Sequence, residues 1–195
     1  MKTVKRLLHL IPALILWLML SVFFWGWIFT FLTDAKPENK LTLFVDAAVT
    51  DGTGLAVKLE ESLLSDTIRM VKVHPFTYAM LDGEQLRQSD AYIVRASHVE
   101  EYREWFAPLS IGFSAKEEQS DGLILLLDGE PHGLRVCNAA TGEGIAQAYI
   151  GYHDPALPDE DFYLMFGKAS VHLTANEGGM DDEAIRLAEA FLNLP

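Results

Sequence analysis

Cysteine is almost missing: Cys137 is the one thiol in 195 residues. A single thiol excludes an intrachain disulfide framework and any zinc site built on several cysteines. Basic side chains are scarce as well, 15 Lys and Arg against 28 Asp and Glu. Three of the 15, Lys2, Lys5 and Arg6, fall in residues 1–32, which hold no acidic residue, so the net charge of −13 becomes −16 over residues 33–195. A domain of that sign lacks the basic patch that phosphate binding needs, so a nucleic-acid partner is not expected. No internal repeat, low-complexity tract, P-loop, G-x-G-x-x-G, H-E-x-x-H or G-x-S-x-G pattern is present. Phosphate-loop, zinc-helix and elbow-serine chemistry therefore have no signature here.

Apolar residues are abundant, 50% of the chain, and the excess is local. From Leu7 to Leu32 there are 26 residues without Asp, Glu, Lys or Arg. At about 1.5 Å per residue that helix exceeds the roughly 30 Å hydrocarbon core of a bilayer. It closes on Trp25, Gly26, Trp27, Ile28 and Phe29, an aromatic belt suited to a membrane interface and unlike the small-residue site of a cleaved signal peptide. Cleavage after Ala35, with Thr33 upstream, is the weaker alternative. Lys2, Lys5 and Arg6 precede the span, while Asp34, Lys36, Glu38 and Lys40 follow it with no net charge. The positive-inside rule then puts the amino terminus in the cytoplasm and the acidic domain outside. The expected organisation is a cytoplasmic end over 1–6, a transmembrane signal-anchor over 7–32 in contact with the lipid bilayer, a tether over 33–40 and one extracytoplasmic domain over 41–195.

Within that domain, Leu41-Thr-Leu-Phe-Val-Asp46 has the content of a strand, and Asp51-Gly-Thr-Gly54 is a turn entering a helix whose Leu55, Leu59 and Leu63 share one face. Strands are expected again over Ile68–Val73 and Ala91–Val94. Ser97-His-Val-Glu100 has the S-x-x-E form of a capping box and predicts a helix through Glu101, Tyr102 and Trp105. Leu123–Leu127 is an unbroken apolar run of the kind found in buried central strands, and Asp128-Gly129 is a hairpin turn leading to Leu134-Arg-Val136. Tyr149–Glu160, with Pro155 and Pro158, reads as an exposed loop. Phe162–Phe166 fits a short strand or a helix. Asp181 and Asp182 open a last helix carrying Ile185, Ala188 and Leu192. The fold class is α/β: a transmembrane helix, then one α/β domain with a largely parallel or mixed sheet.

Chemistry-bearing residues each meet a plainer reading. The turn Asp51–Gly54 is a Thr- or Asp-capped helix start before it is an anion site. His132, His153 and His172 lack metal-ligand spacing, so no metal and no cofactor is expected. Ser170 and His172 share a face if they lie on a strand, yet a catalytic serine needs an exposing turn; no catalytic residue is assigned. Cys137 reads as an inert buried thiol, and Tyr102, Trp105 and Phe106 as core.

Four segments, Leu41-Thr-Leu-Phe-Val-Asp46, Gly54-Leu-Ala-Val-Lys-Leu-Glu60, Ser89-Asp-Ala-Tyr-Ile-Val94 and Glu183-Ala-Ile-Arg-Leu-Ala-Glu-Ala-Phe-Leu192, resemble pieces of the extracellular solute-binding proteins of ABC transporters. The resemblance covers about half of residues 40–195. It implies a lobe of the periplasmic-binding-protein kind, in a single-lobe-sized, membrane-anchored form, with a small-molecule solute or a membrane transport protein as partner. A non-enzymatic role in transport or sensing follows as the expectation; a protein–protein interaction domain without a small-molecule site is the alternative, and a cell-surface hydrolase the second. Because open α/β sheets leave a crevice at the carboxyl ends of their strands, the expected ligand contacts are Asp46, Gly52, Thr53 and Ser97.

Overall fold

The computed structural model describes residues 2–33, 35–63, 65–76, 83–109, 123–170, 172 and 182–194. The chain forms two compact units, Met1–Lys36 and Pro37–Pro195. The first is a helix, α1 (Lys2–Thr33), with Pro12 inside it. Its stretch Ile11–Phe29 is 19 residues long, apolar enough to cross a membrane, and buries none of its residues within the protein. Leu14, Trp17, Phe23, Trp25 and Phe31 are all exposed, as side chains that face lipid are.

The second unit opens with a 3-10 turn, Pro37–Asn39, inside the segment read as a tether, and Asn39 Nδ2 donates to the carbonyl of Thr67 at 2.7 Å. Strand β1 (Lys40–Val45) is followed by β2 (Ala48–Val49), helix α2 (Gly52–Leu63) and β3 (Met70–Pro75). A short α3 (Glu84–Arg87) leads to β4 (Ala91–Arg95), and then come β5 (Phe106–Ala107), β6 (Ile124–Leu127) and β7 (Glu130–Cys137). Strands β8 (Ile150–Gly151) and β9 (Phe162–Gly167) and helix α4 (Asp182–Leu192) complete it. The main sheet runs β3-β1-β4-β9-β7-β6, with β5 on the end of β9, while β2 and β8 form a separate pair. β3, β1 and β4 are parallel to one another; β9, β7 and β6 each run against the neighbour before. The sheet is mixed, as the β-branched run of the first half and the hairpin signal of the second imply.

Alternation along the strands sorts the side chains onto two faces. Leu41, Leu43 and Val45 of β1, Ala91 and Ile93 of β4 and Leu164 and Phe166 of β9 enter one core, with Leu55, Leu59 and Leu63 of α2 and Ala184, Leu187, Ala188 and Phe191 of α4. Phe44, Tyr92, Val94 and Met165 enter the other, with Leu86 of α3 and Val99, Tyr102 and Phe106. Phe162–Phe166, undecided between helix and strand, is thus an inner strand buried on both faces.

Two expectations are corrected. No helix follows Ser97: 3-10 turns at Ala96–His98 and Arg103–Trp105 stand there instead. The Ser97 amide, one half of the expected capping box, donates to Glu160 Oε2 at 2.9 Å, and the aromatic residues are drawn into the core, where Tyr102 stacks on Trp105 with centroids 4.8 Å apart. Tertiary partners outcompete the local cap. The apolar run Leu123–Leu127 is not central either: β6 is the end strand of the sheet and leaves Leu126 exposed. The Asp128-Gly129 turn is as expected, with φ of 53° and 84°, the pair of left-handed residues that a two-residue hairpin of matching twist requires.

Candidate functional site

Strand order reverses at β1. The chain goes from β1 to β3 on one side, then crosses to β4 on the other, so the connections leaving β1 and β4 diverge and a crevice opens beyond their carboxyl ends. Asp46 follows β1 directly, and Arg95 is the last residue of β4. Because β9 runs antiparallel to β4 with Arg95 opposite Phe162, the residues entering β9 reach the same rim, and Glu160 arrives there. A half-open cavity of about 460 Å³ lies over this rim, walled by Phe76, Tyr152, Pro155, Leu157 and Phe162. Its size suits a small molecule.

Its floor is an ion-pair chain. Arg95 Nε donates to Asp46 Oδ2 at 3.1 Å, and its Nη2 donates to the Asp46 carbonyl at 3.0 Å. The other terminal nitrogen lies 3.8 Å from Glu160 Oε1. The guanidinium also sits 5.7 Å from the centroid of the Phe162 ring. On the far side of Asp46, His98 Nδ1 lies 2.7 Å from the same Oδ2. The Asp46 side chain is only 9% exposed and that of His98 38%, so the carboxylate is sunk while part of the imidazole meets solvent. Burial pushes the Asp46 carboxyl above the ordinary carboxylate range, and the attraction of Arg95 and then the contact with His98 recover only part of that shift. A buried carboxylate held between a guanidinium and an imidazole is a set of hydrogen-bonding groups fixed before any ligand arrives.

The wall is fixed too. β8 pairs with β2, which directly follows the Asp46 corner, and Tyr152 donates its hydroxyl to the Ile145 carbonyl at 2.5 Å. Across the Pro155-containing loop, His153 Nδ1 lies 2.7 Å from Asp159 Oδ1. The loop Tyr152–Glu160 is exposed at its tip and tied at its base.

Of the four residues expected from sequence, Asp46 lines the cavity. Ser97 reaches the site through its backbone bond to Glu160. Gly52 and Thr53 begin α2 and are not among the lining residues. That helix start is closed by Asp51, whose Oδ1 accepts the Gly54 amide at 2.8 Å. The sequence reading missed Arg95 and Glu160. The signal available for Arg95 was its position, a charged residue immediately after the apolar Ala91–Val94 run, on the edge where ligands collect. Glu160 is 65 positions from Arg95 in sequence and has no local signal.

Ser170 and His172 also find an aspartate. Ser170 donates its hydroxyl to Asp90 Oδ1 at 2.5 Å, and the His172 backbone amide donates to Ser170 Oγ at 3.1 Å. Asp90 Oδ2 accepts the Thr42 amide at 2.7 Å. All three side chains are buried where the chain enters β4, and the serine hydroxyl is directed to the carboxylate, so the group ties β4 to β1. Cys137 is buried, and burial followed by the nearby Asp161 and Asp159 raises its thiol, which keeps it protonated. Among the described residues, no group of three or more His, Cys, Asp or Glu side chains could hold a metal ion.

No family model and no curated protein matches the sequence. Among solved structures the chain is similar to thiaminase I from Bacillus thiaminolyticus, with a TM-score of 0.33 and 13% identity over 50% of this chain and 28% of that one. A likeness of that extent carries no argument about this protein.

Proposed function

We propose that this chain is a membrane-anchored ligand-binding protein whose α/β domain faces the outside of the cell and serves transport or sensing by binding, without turnover. The observation that carries the reading is the crevice over Asp46, Arg95 and Glu160: it stands at the reversal of strand order, is of small-molecule size, and combines fixed charged groups with aromatic and proline walls. The anchor supports the location, since Lys2, Lys5 and Arg6 precede an apolar helix with no acidic residue before position 34.

The test is a thermal-shift screen of the full chain in detergent against sugars, amino acids, short peptides and amines, repeated on Leu157→Arg. Leu157 is 44% exposed and lines the cavity, so a larger charged side chain there obstructs the crevice without entering the core. A ligand at a hundredfold excess over Kd adds about 2.7 kcal/mol to stability, several degrees in Tm. A shift seen in the wild type and lost in Leu157→Arg supports the reading. A screen with no shift, in a protein that instead co-purifies with a membrane partner, replaces it with the interaction-domain alternative.

One observation favours a second reading. His98 is oriented by a buried Asp46 at 2.7 Å and is partly exposed, an arrangement that can serve as a general base. Loss of a hydrolytic turnover in His98→Ala, with ligand-induced stabilisation retained, is the result that would establish it.

A further inference from the structure

We propose that the solute taken by this crevice is an organic ammonium ion on an apolar, ring-bearing body. The assignment rests on the ligand-binding reading above and narrows it to a chemical class. Three observations converge. The first is charge: Asp46, Asp154 and Glu160 line the cavity against the guanidinium of Arg95 and the imidazole of His153, which is itself paired with Asp159 at 2.7 Å, in a domain that carries −16 beyond residue 32. The second is how that guanidinium is committed. Its donors engage the Asp46 carboxylate, the Asp46 carbonyl and Glu160, and its face covers Phe162, so the guanidinium is already committed to acidic and aromatic partners.

The third observation is Asp46 itself. Arg95 and His98 both contact Oδ2 of a residue only 7% exposed, so the carboxylate is sunk beside the crevice. An N–H of a cation that reaches this carboxylate makes a charge-assisted hydrogen bond where water screens it little. The walls favour a ring on the rest of the ligand: Phe76, Tyr152 and Phe162 offer aromatic surface, to which a cation is also drawn, and Pro155, Leu157 and Pro158 supply aliphatic surface. A bare metal cation would leave that apolar wall unused.

The experiment compares three molecules of matched shape on the full chain in detergent: tyramine, a cation; tyrosol, its neutral alcohol; and 3-(4-hydroxyphenyl)propanoate, an anion. Tyramine is expected to bind and stabilise, tyrosol to bind roughly tenfold or more weakly, and the acid to give no shift. Asp46→Asn should weaken tyramine roughly ten- to hundredfold. Asp154→Asn, at an exposed loop position, guards against a folding defect: it should leave Tm unchanged and still weaken tyramine. Equal binding of tyrosol or the acid, lost in Leu157→Arg, overturns the ammonium assignment and leaves the binding reading standing. Failure of tyramine to bind also overturns the assignment, while the broader screen decides the binding reading separately.

Discussion

A methyl group at position 167 would collide with the carbonyl oxygen of Ser89, an atom of the backbone that cannot swing aside. Gly167 ends β9 where it meets the chain entering β4, and its amide donates to the Asp90 carbonyl at 2.8 Å. Gly167→Ala is therefore expected to lower stability by about 1–3 kcal/mol, the usual cost of overpacking, read as a drop in the urea midpoint. Beside it, Asp90 makes a pH-dependent contribution. Burial raises its carboxyl, and the Ser170 hydroxyl, the Thr42 amide and His172 offset only part of the shift. The folded protein then holds this proton more tightly than the unfolded chain, so the contribution is fully present below the unfolded value near 3.8 and is lost as pH rises through the raised folded value. Wild type should gain stability relative to Asp90→Asn as pH falls from 7 towards 4, in paired melts. His74 works in the opposite direction. Burial, and then Lys72, lower its pKa, so its contribution is present above 6.5 and is lost as pH falls below that value; His74→Gln should remove this loss.

Among the elements, the two helices on the first core were the most legible. Leu55, Leu59 and Leu63 were readable as one face of α2, and all three are buried. For α4 the spacing was right and the phase slightly off: Ile185 and Leu192 are half-buried, while Ala184, Leu187, Ala188 and Phe191, at i, i+3, i+4 and i+7, face the sheet. A helix of alternating small and large apolar residues leaves several faces that look alike until the partner is known. Phe191 is fully buried, so Phe191→Ala should cost about 3–5 kcal/mol and lower the single unfolding transition of the domain. The hairpin was legible because Asp128-Gly129 is local chemistry, and Gly129→Ala, at φ 84°, should cost about 1 kcal/mol. The segment after Ser97 was misread for the opposite reason. Its pattern satisfies a helix cap locally, but Glu160 and the aromatic core claim the same groups from a distance, and no local pattern encodes that competition. The cavity divides the same way: the carboxyl-edge rule pointed to Asp46, which lines it, whereas the pairing of Asp46 with Arg95 and His98, 49 and 52 positions away, exists only once β1 and β4 are neighbours.

At the scale of the whole chain the decisive property is the separation of its charges. A short basic end precedes an apolar helix, and the folded unit beyond it is strongly acidic. Orientation in a membrane is set by Lys and Arg near the ends of the span, and acidic residues contribute little, so the bias rests on Lys2, Lys5 and Arg6. The expected result with a protease added outside intact cells or spheroplasts is loss of a carboxyl-terminal epitope and retention of an amino-terminal one. Replacing all three basic residues with Gln should increase the fraction of chains whose carboxyl-terminal epitope is protected. High salt should leave the protein in the membrane pellet and detergent should release it, because an apolar helix of 19 residues is held by hydrocarbon and not by surface charge. A carboxyl-terminal domain recovered in the soluble fraction, shortened by about 35 residues, would instead mark removal of the leader. Protection of the carboxyl-terminal epitope in the unaltered chain would turn the crevice over Asp46 towards the cytoplasm, where an outside solute cannot reach it, and the binding role proposed for it would fall with the orientation.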